Sequence, residues 1–108
     1  MGGSLRIKFV NIREIRMGSP YNLCEIRFEG DWIPSLPTED WQDKKAASPD
    51  GRYVALIRWN TKGNRPGFHV VRIDTRKRKY HTTKRILGLC DKIWWDTDGF
   101  VWQKNESV

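Results

Sequence analysis

Along most of this chain apolar and polar side chains alternate residue by residue. A period of two suits strands, because successive side chains on a strand point to opposite faces. Leu5, Ile7 and Phe9 alternate with Arg6 and Lys8, a first half-buried strand. Ile12–Met17 and Tyr21–Glu29 flank Gly18-Ser19-Pro20, which predicts a hairpin. In its second arm Cys24, Ile26 and Phe28 share one face and Glu25, Arg27 and Glu29 the other, as in a sheet with one wet side. Tyr53, Ala55, Ile57 and Trp59 alternate with Val54, Leu56 and Arg58, and both sets are largely apolar. That strand is expected to be central and covered on both faces.

The pattern continues to the C-terminal end. Phe68–Asp74 reads as a strand, Thr75-Arg76-Lys77-Arg78 as a charged turn and Lys79–Ile86 as the return. Gly88 breaks the chain before Cys90–Trp95, and Asp96-Thr97-Asp98-Gly99 supplies an Asp-Gly hairpin turn, since glycine tolerates the positive φ such turns need. Phe100, Val101 and Trp102 form the last strand, and residues 104–108 are expected to fray. Residues 30–51 differ. Pro34, Pro37 and Pro49 interrupt any ladder because proline has no N–H to donate. Thr38, Glu39 and Asp40 can cap a short helix running to about Ala47 with Trp41 packed inward.

With 108 residues, 38% of them hydrophobic, the chain can build one core, and we expect a single β domain over 1–108. Its parts are N-terminal strands over 5–29, a connector over 30–51, a β meander over 52–103 and the tail. The fold class follows: all-β, an antiparallel meander of six to eight strands, with a blade-like sheet packed on an N-terminal hairpin and at most one short helix. No apolar run approaches the roughly 20 residues of a bilayer-spanning helix, and no membrane association is expected. Met1-Gly2-Gly3-Ser4-Leu5-Arg6 lacks the apolar segment of a secretory signal, and Arg6 stands where a myristoylation signal needs Ser or Thr. A cytoplasmic location is therefore the expectation, with Cys24 and Cys90 as buried free thiols.

Two segments carry a family likeness. Ser48-Pro49-Asp50-Gly51-Arg52-Tyr53-Val54-Ala55, followed by Phe68-His69-Val70-Val71-Arg72-Ile73-Asp74-Thr75, is similar to a TolB-type β-propeller repeat over residues 48–86. In such repeats a Ser-Pro-Asp-Gly turn opens one strand of a blade, and a strand ending in Asp-Thr or a similar pair follows. The chain is too short for a closed propeller, which needs about four blades or more. What the resemblance implies is a single blade-like antiparallel meander serving as a scaffold, with no catalytic residue carried over.

Charge is the sharpest functional signal. Arg52, Arg58, Lys62, Arg65, Arg72, Arg76, Lys77, Arg78, Lys79, Lys84 and Arg85 stand against one acid, Asp74, so residues 52–85 carry +10 while 1–51 carry −1 and 86–108 carry −2. Lys and Arg on a strand-turn-strand unit can track a phosphate backbone, and Tyr80 and His81 beside them can stack on bases. The same cations can instead keep a hairpin tip soluble and guard an edge strand. Trp94 and Trp95 cannot face the same way on one strand. One ring must point outward, either exposed as a point of contact or covered by the 30–47 connector, with Trp32 and Trp41 the expected cover.

Catalysis finds little support. His69 and His81 have no Ser or Cys nucleophile in a recognisable turn nearby, and His69 on a strand reads as a satisfied sheet residue. Asp91, Asp96 and Asp98 suggest a carboxylate cluster, but turn chemistry explains the last two. No cofactor and no metal are expected. We therefore expect a non-enzymatic interaction or scaffold module that takes a protein partner or self-associates. The alternatives are a nucleic-acid-binding domain using the hairpin 72–85 and an enzyme around His69 and the C-terminal aspartates. The residues to follow are Arg72, Arg76, Lys77, Arg78, Lys79, Tyr80, Lys84, Arg85 and Trp94.

Overall fold

A computed structural model of the chain describes residues 5–105. The features of Met1–Ser4 and the end of the expected frayed tail, 106–108, lie outside the described residues. Nine strands run in chain order: β1 (Arg6–Glu14), β2 (Asn22–Glu29), β3 (Trp41–Ala47), β4 (Tyr53–Trp59), β5 (Gly67–Asp74), β6 (Lys79–Thr82), β7 (Ile86–Leu87), β8 (Leu89–Asp96) and β9 (Gly99–Asn105). The fold is all-β and antiparallel, and its one helical element among the described residues is a 3₁₀ turn at Lys62–Asn64. β1 to β6 pair in sequence order, β7 also pairs with β5, and β8–β9 form a separate hairpin.

β4 is the central strand that its double apolar pattern demanded. Val54 and Leu56 face one cluster with Cys24, Ile26, Trp41, Val71 and Ile73. Ala55 and Ile57 face another with Phe68, Val70 and Cys90. The first is covered by Leu5, Ile7, Phe9 and Phe28 of the β1–β2 hairpin, which joins the sheet through the single pairing Cys24–Trp41. The second is covered by Ile93, Phe100 and Trp102 of β8–β9. The result is one seven-stranded sheet, β1 to β7, whose β1–β2 end packs over the first cluster while the separate β8–β9 hairpin covers the second.

The Ser-Pro-Asp-Gly turn sets the start of β4 by local chemistry. Ser48 Oγ donates to Asp50 Oδ1 at 2.7 Å and accepts the Tyr53 N–H at 3.0 Å. Asp50 Oδ1 also accepts the Arg52 N–H at 3.0 Å, and Gly51 takes φ +74°. The Ser48 hydroxyl, then the Arg52 amide, holds the Asp50 carboxyl below its usual range.

Three expectations need correction. Thr38–Ala47 is not a helix, and residues 41–47 of the connector form β3 instead. A helix of about ten residues is marginal alone, whereas β3 fills the open edge of β4 through Lys45–Leu56, Ala46–Ala55 and Ala47–Val54. Trp41 is fully buried as expected, its Nε1 donating to the Pro37 carbonyl at 2.9 Å. Next, Leu5–Phe9 and the start of Ile12–Met17 are one strand, β1, bulged between Val10 and Arg13 where Asn11 takes φ +52°. Finally, the last strand extends past Trp102, so Lys104 and Asn105 pair with Cys90 and Leu89 rather than fraying.

Candidate anion-binding groove

Asp74 closes β5 and builds the basic turn. Its Oδ1 accepts the N–H groups of Arg76 at 3.1 Å and Lys77 at 3.0 Å, the short-range capture that makes aspartate a turn former. Arg52 grips the same carboxylate in a fork, Nε to Oδ1 at 3.2 Å and Nη2 to Oδ2 at 3.1 Å. Thr75 Oγ1 donates to the Arg52 carbonyl at 2.8 Å, which ties this turn to the start of β4. The Arg52 guanidinium, partly offset by burial, keeps the Asp74 carboxyl well below its ordinary value, at about 2. The single acid of the basic stretch is thus committed to holding the backbone, and it neutralises Arg52 alone.

Register then gathers the cations. Arg72 pairs with His81 and Asp74 with Lys79 across β5–β6, while Ala55 and Tyr53 stand opposite the same two β5 residues on β4. All six share one face, the one that β8–β9 covers farther along. Where that cover ends, a groove of about 460 Å³ opens, lined by Tyr53, Arg72, Lys77, Lys79, Tyr80 and His81 above Asp74. The hairpin tip forms a wall: Trp95 stacks on Tyr53 with centroids 5.7 Å apart, and a recess of about 120 Å³ joins these two to Arg72 and Asp98. Among the described residues, Arg72, Lys77 and Lys79 form no ion pair.

The other sequence candidates disperse. Arg76 and Arg78 are exposed at the turn, and Arg78 takes φ +54°. Lys84 is exposed beyond β6. Arg85 turns away, donating to the carbonyls of Asn60, Lys62 and Arg65 at 3.2, 3.1 and 2.6 Å. Tyr80 reaches the groove from the edge strand, its hydroxyl donating to the Ser35 carbonyl at 2.9 Å. Trp94 points outward and is 42% exposed, and the expected cover is missing because Trp32 and Trp41 pack on the opposite face of the sheet. Tyr53 and Trp95 were not among the sequence candidates for this site. Their signal is a register, Tyr53 opposite Asp74, which one strand's pattern does not reveal.

No known protein family, curated protein or solved structure matches this chain. The groove therefore has to be read from its own chemistry, which is that of charge and stacking. His69 has both ring nitrogens engaged: Nδ1 donates to the Thr83 carbonyl at 2.9 Å, and Nε2 accepts from Asn60 Nδ2 at 3.0 Å. Burial pushes the thiols of Cys24 and Cys90 up to about 11, which suppresses the nucleophilic thiolate. Asp96 and Asp98 belong to the β8–β9 turn, and Asp91 accepts a 3.5 Å bond from the Tyr21 hydroxyl. Among the described residues no three His, Cys, Asp or Glu converge as a metal-ligand group.

Proposed function

We propose that this chain is a non-catalytic binding module whose groove takes the phosphate backbone of a single-stranded nucleic acid. One observation carries the reading: Arg72, Lys77 and Lys79 converge on one groove and form no ion pair among the described residues, because Asp74 is spent on Arg52. His81, on the same face as those cations, gives a base a place to stack beside them. Binding to a fluorescent single-stranded oligonucleotide, followed by anisotropy, tests this. Affinity should fall steeply with salt, and replacing Arg72, Lys77 and Lys79 together by Ser should flatten the logarithmic salt slope by about 2, at about 0.7 per phosphate contact. Absence of binding at low salt, or an unchanged slope in the triple variant, removes the proposal. So does tight binding of an acidic peptide in place of the oligonucleotide.

A second reading, self-association, rests on a different surface. Trp94 and Val101 pair directly across β8–β9 on its outer face, 42% and 38% exposed. A tryptophan ring on an open face is a common anchor of protein contact. Light scattering should then give a mass above the 12.8 kDa of one chain, and Trp94→Ser should return it to that value. A monomer at high concentration removes this reading and leaves the groove untouched.

A further inference from the structure

We propose that the cleft at the far end of β4 is a second binding site, specific for a small organic anion that carries a planar ring. This cleft is independent of the groove: it lies beyond Trp59, whereas the groove lies beside Tyr53 at the strand's other end. Its volume is about 580 Å³, within the range of roughly 300–1,000 Å³ typical of small-molecule sites.

The walls come from segments distant in sequence and are fixed by backbone and side-chain hydrogen bonds. The Trp59 N–H donates to the Asp40 carbonyl at 2.7 Å, and Trp59 Nε1 donates to the Asn22 carbonyl at 2.8 Å. Asn60 Oδ1 caps the Lys62 N–H at 3.1 Å, while its Nδ2 donates to His69. Arg85 clamps three carbonyls of the 60–65 loop from outside the cleft. This loop is therefore held in place before any ligand arrives, a saving in the ordering cost that binding otherwise carries.

The lining specifies the ligand class. Ile15 and Leu23, half-buried and packed over the buried Trp59, supply an apolar wall suited to a ring or another flat hydrocarbon surface. Arg16, Arg58 and Lys62 bring three positive charges against one negative, Asp40, which leaves a surplus of two. Asp40 engages only Arg58, at 3.8 Å, the longest ion pair among the described residues. Among the described residues the Arg16 guanidinium makes one bond, to Asn64 Oδ1 at 3.4 Å, and Lys62 forms no ion pair. Two cations are thus left for a phosphate or carboxylate, and the apolar wall distinguishes a ring-bearing anion from a bare one.

Adenosine 5′-monophosphate and indole-3-acetate separate the phosphate and carboxylate sources, with adenosine and inorganic phosphate as the two halves of the first. In a titration of the isotope-labelled full chain by nuclear magnetic resonance, at least one of the two ring-bearing anions should shift the amides of residues 58–64 and His69 saturably. It should bind at least about tenfold more tightly than either half alone, since both walls are used. A chain with Arg16→Ser and Lys62→Ser should lose at least about tenfold in that affinity while keeping its urea midpoint, because both side chains are exposed. The triple Ser variant of the groove should bind the same probe unchanged, so failure of the groove reading and failure of this one are separable. The proposal is overturned if neither ring-bearing probe moves these amides at about 5 mM, if inorganic phosphate alone binds as tightly, or if the shifts fall on Arg72–His81 instead.

Discussion

Single residues decide where charge is free and where it is consumed. Asp74 and Arg52 are 11% and 20% exposed at their side chains, so their fork is shielded better than the other ion pairs among the described residues. The Asp74 carboxyl is depressed from 3.8 to about 2 by the Arg52 bond. A group with a lowered folded value stabilises the fold at every pH above the unfolded value. That contribution drains away as the pH falls from about 3.8 through about 2. Urea midpoints measured from neutral pH into that window should drop more steeply for the natural chain than for Asp74→Asn, which has no carboxylate to protonate. At neutral pH the variant should be the less stable of the two, because Arg52 keeps its charge and loses its partner. Parallel acid limbs in the two proteins would show that the fork contributes nothing to stability.

The strands show how far a single sequence carries and where it stops. Alternation at Val54–Ile57 was enough to place β4 between two apolar layers, and the Ser48–Gly51 turn announced its start. β3 was not legible in the same way, because Lys44, Lys45, Ala46 and Ala47 suit a helix as well as a strand and only the open edge of β4 decides between them. The groove was half visible. Its cations are written in a run, yet Tyr53 and Trp95 join it through register and through the angle at which the last hairpin lies. That hairpin is held at its root by Gln42 Nε2 donating to the Cys90 carbonyl at 2.9 Å, and at its tip by Trp95 between Tyr53 and Phe100. Trp95→Ala removes the tip contact and leaves the root. Amides of residues 94–101 should then exchange with solvent markedly faster, with a loss of about 1–3 kcal/mol in local opening energy. Exchange in β4 and β5 should change far less. Uniform acceleration across all strands would mean that the tip has no separate stability.

At the scale of the whole molecule, the two apolar clusters are back to back on the same two strands. Val54, Leu56, Val71 and Ile73 look into the first, while Ala55, Ile57, Phe68 and Val70 look into the second. Neither outer hairpin can keep its cover if β4 leaves the sheet, because the residues it packs on alternate along one backbone. Loss of either layer therefore exposes the other through the strands they share, and unfolding should be all-or-none. Leu56→Ala and Ile57→Ala test this from opposite sides, since both residues are fully buried and adjacent on β4 yet belong to different clusters. Each should cost about 2–5 kcal/mol. Each should also move the urea transitions seen by tryptophan fluorescence and by far-ultraviolet circular dichroism together. Fluorescence samples both layers, because Trp41 lies in the first and Trp102 packs against the second. If Leu56→Ala split the fluorescence transition into two steps, the β8–β9 layer would be surviving the loss of the β1–β2 layer, and β4 would not be the shared support that its burial indicates.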